Sequence, residues 1–372
     1  DTDQKLSFFK EINNRFAPSR NEVEKKITNY LSNKNDKSLK QLGEAVEGKR
    51  QELIRRLNMA PNGTPFLVSM REDLIKFLPI NTELKNLDED IRHLFKSWFN
   101  PGFLRLEKIT WETKAAILEK IIKYEKVHQI KDMNDLKRRL QQDDRRFFAY
   151  FHPILKDEPL IFVEVAFTKD IGKSIQQLIK PKTDENLNYD TATFYSINNC
   201  QDGLMRVTLG NFLIKRVVFE IQQENHKIKN FGTLSPLPGF AEWFFSLNDN
   251  KLKDILKKYD TSKLEFLKSP QLKIGDPKII EEEIALKKLV CHYLINEKIN
   301  NKPLNPVSRF HLGNGASIHD IIINGNTSDY GYSESFGIMV NYSYQLDKLE
   351  HIHEDFITKG KISYSDKIKK YV

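Results

Sequence analysis

Apolar residues recur at every third or fourth position through roughly the first 140 residues, the spacing of one face of an α-helix. The stretch KSLKQLGEAVEGKRQELIRRLNMA places Leu39, Leu42, Val46, Leu53, Ile54 and Leu57 on that spacing and ends at Pro61-Asn62-Gly63, a turn signal. SMREDLIKFLP, DEDIRHLFKSWF and TWETKAAILEKIIKYEKVHQI repeat the pattern, and Thr110-x-x-Thr113 with Glu112 marks a helix start. A helical bundle over residues 1–142 is therefore predicted. No segment in it gathers His, Cys or clustered carboxylates, so its simplest role is scaffold and contact between copies.

The period changes after MNDLKRRLQQDDRR. PLIFVEVAF (159–167) and TATFYSI (191–197) are rich in β-branched and aromatic residues and read as strands, with a helical IGKSIQQLI between them. A short strand is expected at Met205 to Val207, then a turn at Leu209-Gly210-Asn211 and a helix carrying Phe212, Ile214, Val217, Val218 and Ile221. NFGTLS reads as a strand that runs into Pro236-Leu237-Pro238-Gly239, and AEWFFSL as the helix that follows. LKSPQLKIGDPKIIEEEIALKKLVCHYLINEKIN reads as a linker and a helix, with acidic residues in the first turn where the helix dipole favours them. Strands alternating with helices predict an α/β or α+β domain over residues 143–372.

Composition narrows the choice of partner. The chain has 372 residues, 39% hydrophobic and 30% charged, which supports two domains with real cores. Mean hydropathy is -0.54 and no run of 18 apolar residues exists, so no membrane span is expected. The net charge of +8 could suit nucleic acid, but Lys alternates with Glu and Asp, as in NEVEKKITNY and KLKDILKKYD. A mild positive field suits a phosphate-bearing small molecule instead. Cys200 and Cys291 stand far apart in no C-x-x-C pattern, which predicts buried thiols in a reducing compartment.

Three turns can carry chemistry. LGNFLIKR puts a glycine and Asn211 at a helix start, where backbone N–H groups suit a pyrophosphate, although Asn211 could equally be a plain N-cap. In GTLSPLPGF, Ser235 ends a strand and two prolines hold its exit rigid; its hydroxyl is either a presented reactive group or a cap. In RFHLGNGAS, Gly313 and Gly315 flank Asn314 and permit close approach of a ligand beside His311, whose imidazole titrates near about 6.5 when unperturbed. A lone histidine is more often structural. His351-x-His353 would share a face only on a strand and has no third ligand, so no metal is expected.

Together these stretches resemble the malonyl-CoA decarboxylase family. FYSI (194–197), GLMRVTLGNFLIKRVV (203–218), TLSPLPGF (233–240), NPVSRFHLGNGA (305–316) and FGIMVNYSY (336–344) carry the resemblance in the family's order. SMREDL (69–74), WFNPGFLRLEKITW (98–111) and KVHQIKDMNDLKRRL (126–140) extend it into the helical half. The resemblance implies an α+β protein: an N-terminal all-helical oligomerisation domain, then a catalytic domain of the GCN5-related acetyltransferase (GNAT) type. It maps the acyl-CoA loop onto Met205, Arg206, Val207, Thr208, Leu209, Gly210 and Asn211, the catalytic pair onto Ser235 and His311, and further contacts onto Ser196 and Tyr344. Some relatives carry a glycine at Met205-Arg206 and an acidic residue at Thr208, where this chain differs.

The implied reaction converts malonyl-CoA to acetyl-CoA and CO₂ through a thioester enolate protonated by His311. Ser235 would bind the malonyl group and exchange a proton with it, and Ser196 and Tyr344 would complete the polar wall. The thioester is the electron sink, so no metal or organic cofactor is expected. The implied partners are malonyl-CoA and acetyl-CoA and other copies of the chain, assembled as a homotetramer, with neither nucleic acid nor a membrane span. A bacterial-type cytoplasm is expected, or a mitochondrial matrix after removal of a leader. An acetyltransferase on the same fold and a non-catalytic CoA-binding scaffold are the alternatives.

Overall fold

Capping side chains set where the first helices begin. Asp1 accepts from the Gln4 N–H while the Gln4 side chain reaches back to Asp1, a capping box that opens α1 (Thr2–Arg15). Asn35 opens α3 (Asp36–Asn58) with a second capping box, and Ser19 caps α2 (Arg20–Asn33) by accepting from the Glu22 N–H alone. Gly48 bends α3 with a φ of 73°, and α4 (Gly63–Phe77) and α5 (Lys85–Trp98) follow. The computed structural model describes residues 1–180, 188–207, 213–259, 262–269 and 272–372.

One unit comprises Asp1–Arg105, Tyr150–Ile161 and Asn199–Gly210. Its core joins Phe9, Leu67, Leu74, Leu87, Ile91 and Phe95, all almost fully buried. The expected helices are present, but the apolar stripe of α3 is only partly used: Ile54 is 1% exposed, whereas Leu39 and Val46 are 51% and 53% exposed. The expected strand at Met205 to Val207 is absent. A single helical turn at Asp202–Leu204 leads into a bend there, with Arg206 at a φ of 61°, a left-handed value that a strand cannot contain.

The second unit comprises Leu106–Ala149, Phe162–Asn198 and Asn211–Val372. In chain order its elements begin with β1 (Arg105–Lys108), α6 (Ala115–Tyr124), α7 (Met133–Gln141), β2 (Arg145–Phe151), β3 (Pro159–Thr168), α8 (Ile175–Ile179) and β4 (Thr191–Asn199). Next come α9 (Leu213–Glu224), β5 (Asn230–Thr233), β6 (Ser235–Pro236), α10 (Phe240–Ser246), α11 (Asp249–Tyr259), α12 (Pro277–Glu281) and α13 (Glu283–Ile295). The hairpin β7 (Lys298–Ile299) and β8 (Lys302–Pro303) leads to α14 (Pro306–Gly313), β9 (Ser317–Ile322), α15 (Asp329–Ser335), β10 (Met339–Ser343), α16 (Leu349–Lys359) and α17 (Asp366–Lys369). The Thr110 and Thr113 signal forms a turn, Thr110 N–H donating to Thr113 Oγ1, and α6 starts only at Ala115.

Among the described residues, eight strands form one sheet in the order β1-β2-β3-β4-β5-β10-β6, with β9 also paired to β10. β4 and β5 run parallel, Thr191 opposite Asn230 through Phe194 opposite Thr233, while β10 runs antiparallel to β5, β6 and β9. The layout is thus a helical region followed by a mixed-sheet α+β domain. β3 is buried at all ten positions, which explains why it reads as a continuous apolar run. Cys200 and Cys291 are both buried and not joined in a disulfide, as expected, and burial pushes the Cys291 thiol up to about 12.

Candidate active site

Ser235 gains its place from sheet pairing. It lies on β6 opposite Val340 of β10, and Pro236, opposite Met339, fixes the exit. Beyond it, Gly239 turns the chain with a φ of 73° and donates its N–H to Glu334. His311 sits on α14, not at a strand end, because Asn305 caps that helix at the Ser308 N–H and Pro306 occupies its first turn. The same Asn305 donates its Nδ2 to the Pro238 carbonyl at 2.9 Å and is fully buried. One side chain therefore ties the helix of His311 to the loop that follows Ser235.

Of the two glycines after His311, it is Gly315 that packing demands. Gly315 has a φ of 80°, and a Cβ there would stand 2.3 Å from the Leu349 carbonyl oxygen. The expected room for a ligand at this glycine is filled by the start of α16. His351 and His353 lie on that helix and not on a strand; His353 Nδ1 meets the Gly313 carbonyl at 2.7 Å.

Four side chains form a continuous hydrogen-bonded row. Tyr344 Oη lies 2.7 Å from His311 Nδ1, His311 Nε2 lies 2.9 Å from Ser235 Oγ, and Ser235 Oγ donates to Thr233 Oγ1 at 2.8 Å. With the serine proton used on Thr233, the assignment that satisfies every member has Tyr344 O–H donating to Nδ1 and Nε2–H donating to Ser235. Thr233 is in turn fixed by the Tyr342 N–H, which donates to its hydroxyl, and by Asn341 Nδ2, which donates to its carbonyl. Tyr342 stacks on the imidazole with ring centres 4.6 Å apart. His311 is 3% exposed, and burial alone holds its pKa down to about 3, so the ring is neutral near pH 7. Burial likewise raises Tyr344 well above its usual value.

Ser196 is not hydrogen-bonded to this row. Its Oγ donates to Glu125 Oε2 at 2.7 Å and accepts from Asn198 Nδ2 at 2.7 Å, so its proton is committed to a carboxylate. Glu125 also accepts the Val127 and His128 N–H groups. Glu164 lies close enough to feel its charge and is bonded to the Tyr195 hydroxyl at 2.7 Å and to Arg139 at 3.3 Å. Burial pushes the Glu164 carboxyl up to about 8 despite the guanidinium. Glu125, Glu164, Arg139 and Thr233 are the polar residues that sequence reasoning missed. Only Thr233 left a signal, since Thr-x-Ser on a strand puts both hydroxyls on one face.

Of the acyl-CoA loop, Met205, Arg206 and Val207 belong to the helical unit, while Thr208, Leu209, Gly210 and Asn211 lie outside the described residues. A cleft of about 730 Å³ in the sheet unit is bordered by Tyr344, Lys173, Lys229, His319 and Lys367; Ser235 and His311 do not line it. Among the described residues no helix is long and apolar enough to cross a membrane.

A helical region followed by a mixed sheet that buries a neutral Tyr-His-Ser-Thr row defines an α+β protein. Residues 16–99 match the model of the malonyl-CoA decarboxylase N-terminal domain and residues 102–372 that of the C-terminal domain. The chain belongs to the malonyl-CoA decarboxylase family. The mitochondrial malonyl-CoA decarboxylase of Anser anser anser is 34% identical over 346 residues, 86% of this chain and 68% of the relative. That of Rattus norvegicus is 33% identical over 344 residues, covering 85% and 69%. Crystal structures of malonyl-CoA decarboxylase from Rhodopseudomonas palustris and Agrobacterium vitis superpose with TM-scores of 0.88 and 0.86 at 41% and 40% identity. Each match covers 100% of this chain and 91% of the other.

Proposed function

We propose that this chain decarboxylates malonyl-CoA to acetyl-CoA and CO₂ at the Ser235–His311 pair. The observation that carries the reading is the unbroken neutral row Tyr344–His311–Ser235–Thr233. Loss of CO₂ breaks the bond between the carboxylate carbon and the α-carbon and leaves its electron pair delocalised into the thioester carbonyl as an enolate. No metal or organic cofactor takes part in this sequence, because the thioester itself accepts the electrons.

Each turnover consumes one proton, delivered to the α-carbon. His311 is neutral, and its ring nitrogens meet the hydroxyls of Ser235 and Tyr344 rather than a carboxylate. A malonyl carboxylate entering this low-dielectric pocket raises the imidazole's proton affinity, so the substrate's own charge recruits the proton that its enolate later receives. Ser235 holds the malonyl group through its hydroxyl; the recruited proton sits on Nδ1, which then donates to the Tyr344 oxygen, so that Nε2 gives its proton to the α-carbon and the ring returns to neutral. Ser196, fixed by Glu125 and Asn198, forms part of the polar wall. Met205 to Asn211 receive the CoA pyrophosphate ahead of α9, on the strength of the family resemblance and the ability of helix starts to bind anions.

Purified protein supplied with malonyl-CoA should release CO₂ and acetyl-CoA in equal amounts, with methylmalonyl-CoA run alongside to grade tolerance of an α-methyl group. Acetyl transfer from acetyl-CoA to amines, with no acetyl-CoA formed from malonyl-CoA, would instead establish an acetyltransferase.

A further inference from the structure

The motif SMREDL takes no part in the row around His311, yet its arginine is the largest of the fully buried side chains. Arg71 lies on α4 and is 1% exposed; its Nε donates to Asp88 Oδ1 of α5 at 2.8 Å. Its Nη1 donates to two backbone carbonyls further along the chain, those of Gly203 at 2.7 Å and Met205 at 2.9 Å. Gly203 is pressed against the same helix, since a Cβ there would stand 2.0 Å from the Val68 carbonyl oxygen. Immediately afterwards Arg206 adopts its left-handed φ of 61°. A non-glycine residue holds that conformation only when its surroundings over-determine it, and two charge-assisted bonds on the preceding carbonyls supply such a constraint.

We propose that Arg71, oriented by Asp88, is a positioning residue for the acyl-CoA segment that begins at Met205. It holds the backbone of Gly203 to Arg206, where that segment starts, and at 1% exposure it acts through these carbonyls. The helical region then contributes to substrate affinity as well as to scaffold. This inference rests on the reading above that Met205 to Asn211 receive CoA. Lysine cannot replace the arginine here, because one ammonium does not reproduce the planar fork that serves a carboxylate and two carbonyls at once.

Kinetics with two substrates separate positioning from general support. Malonyl-pantetheine keeps the reacting thioester but lacks the pyrophosphate and nucleotide. In Arg71→Lys, KM for malonyl-CoA should rise about tenfold with kcat within about twofold, while kcat/KM for malonyl-pantetheine stays within about twofold of the unsubstituted protein. The double variant Arg71→Gln/Asp88→Asn leaves no lone buried charge and should show the same pattern, which guards against misfolding of the first. Equal loss of kcat/KM on both substrates, or an unchanged KM for malonyl-CoA in a folded variant, overturns the proposal. Calorimetric titration with CoA reads the clamp without turnover: Kd should rise about tenfold in both variants. An unchanged Kd sinks the clamp even if the unsubstituted protein proves inactive on malonyl-CoA, so this inference and the functional reading fail by different results.

Discussion

The sheet unit buries two polar clusters that solve the same problem in opposite ways. Around His311 every member is neutral: tyrosine, imidazole, serine and threonine pass single hydrogen bonds along a row. Around Glu164 the members are ionic, with Arg139, Glu125 and Asp135 in one network and His128 held by burial down to about 4. Burial disfavours charge in both places, but only the second contains its own counter-charges. The first can therefore be switched by a charge that arrives from outside, and the second cannot. A site that must accept an anionic carboxylate and then hand over a proton needs the first design.

The strongest test of this contrast is deletion of the imidazole. His311→Ala should lower kcat at least about a hundredfold, the usual scale for a general acid, while Kd for CoA stays within about twofold. A rate near that of the unsubstituted protein would take proton delivery away from His311 and leave the neutral row as packing. A smaller effect is expected from Tyr344→Phe, which keeps the ring but removes the hydroxyl that donates to Nδ1. Loss of one such bond should cost about tenfold in kcat with little change in thermal stability. If Tyr344→Phe matched His311→Ala in severity, the tyrosine would be a proton donor in its own right rather than support for the imidazole.

The sequence made some of this visible and hid the rest for physical reasons. Ser235 was legible because Pro236 and Pro238 announce a rigid exit from a strand. His311 was legible as a residue but not as a helical one: Asn305-Pro306 is a helix start signal, yet the Gly-Asn-Gly that follows draws attention to a turn. Leu39 and Val46 carry helical spacing but lie exposed, since periodicity reports a face and not what covers it. Met205 to Val207 carries strand-type residues, but their sequence gives no sign of the buried arginine more than a hundred positions away that bonds the Gly203 and Met205 carbonyls. Glu125, Arg139 and Glu164 left no pattern at all; their meeting depends on which strand and helix ends the fold brings together.

The ionic cluster also makes a quieter claim about pH, opposite in sign to that of the row. His311 has a pKa lowered from 6.5 to about 3, so its contribution to stability is complete above 6.5 and lost as pH falls towards 3. Glu164 is raised from 4.5 to about 8, so its contribution is complete below 4.5 and lost as pH rises through 8. Glu164→Gln keeps an acceptor for the Tyr195 hydroxyl and for Arg139 but cannot ionise. Urea unfolding at pH 5, 6.5 and 8 should show the variant freed of a decline of up to about 1 kcal/mol per pH unit that the unsubstituted protein suffers across that window. Parallel profiles for the two proteins would mean that Glu164 is already ionised against Arg139. The second cluster would then be a plain buried ion pair, and the contrast with the neutral row would rest on charge alone rather than on a stored proton.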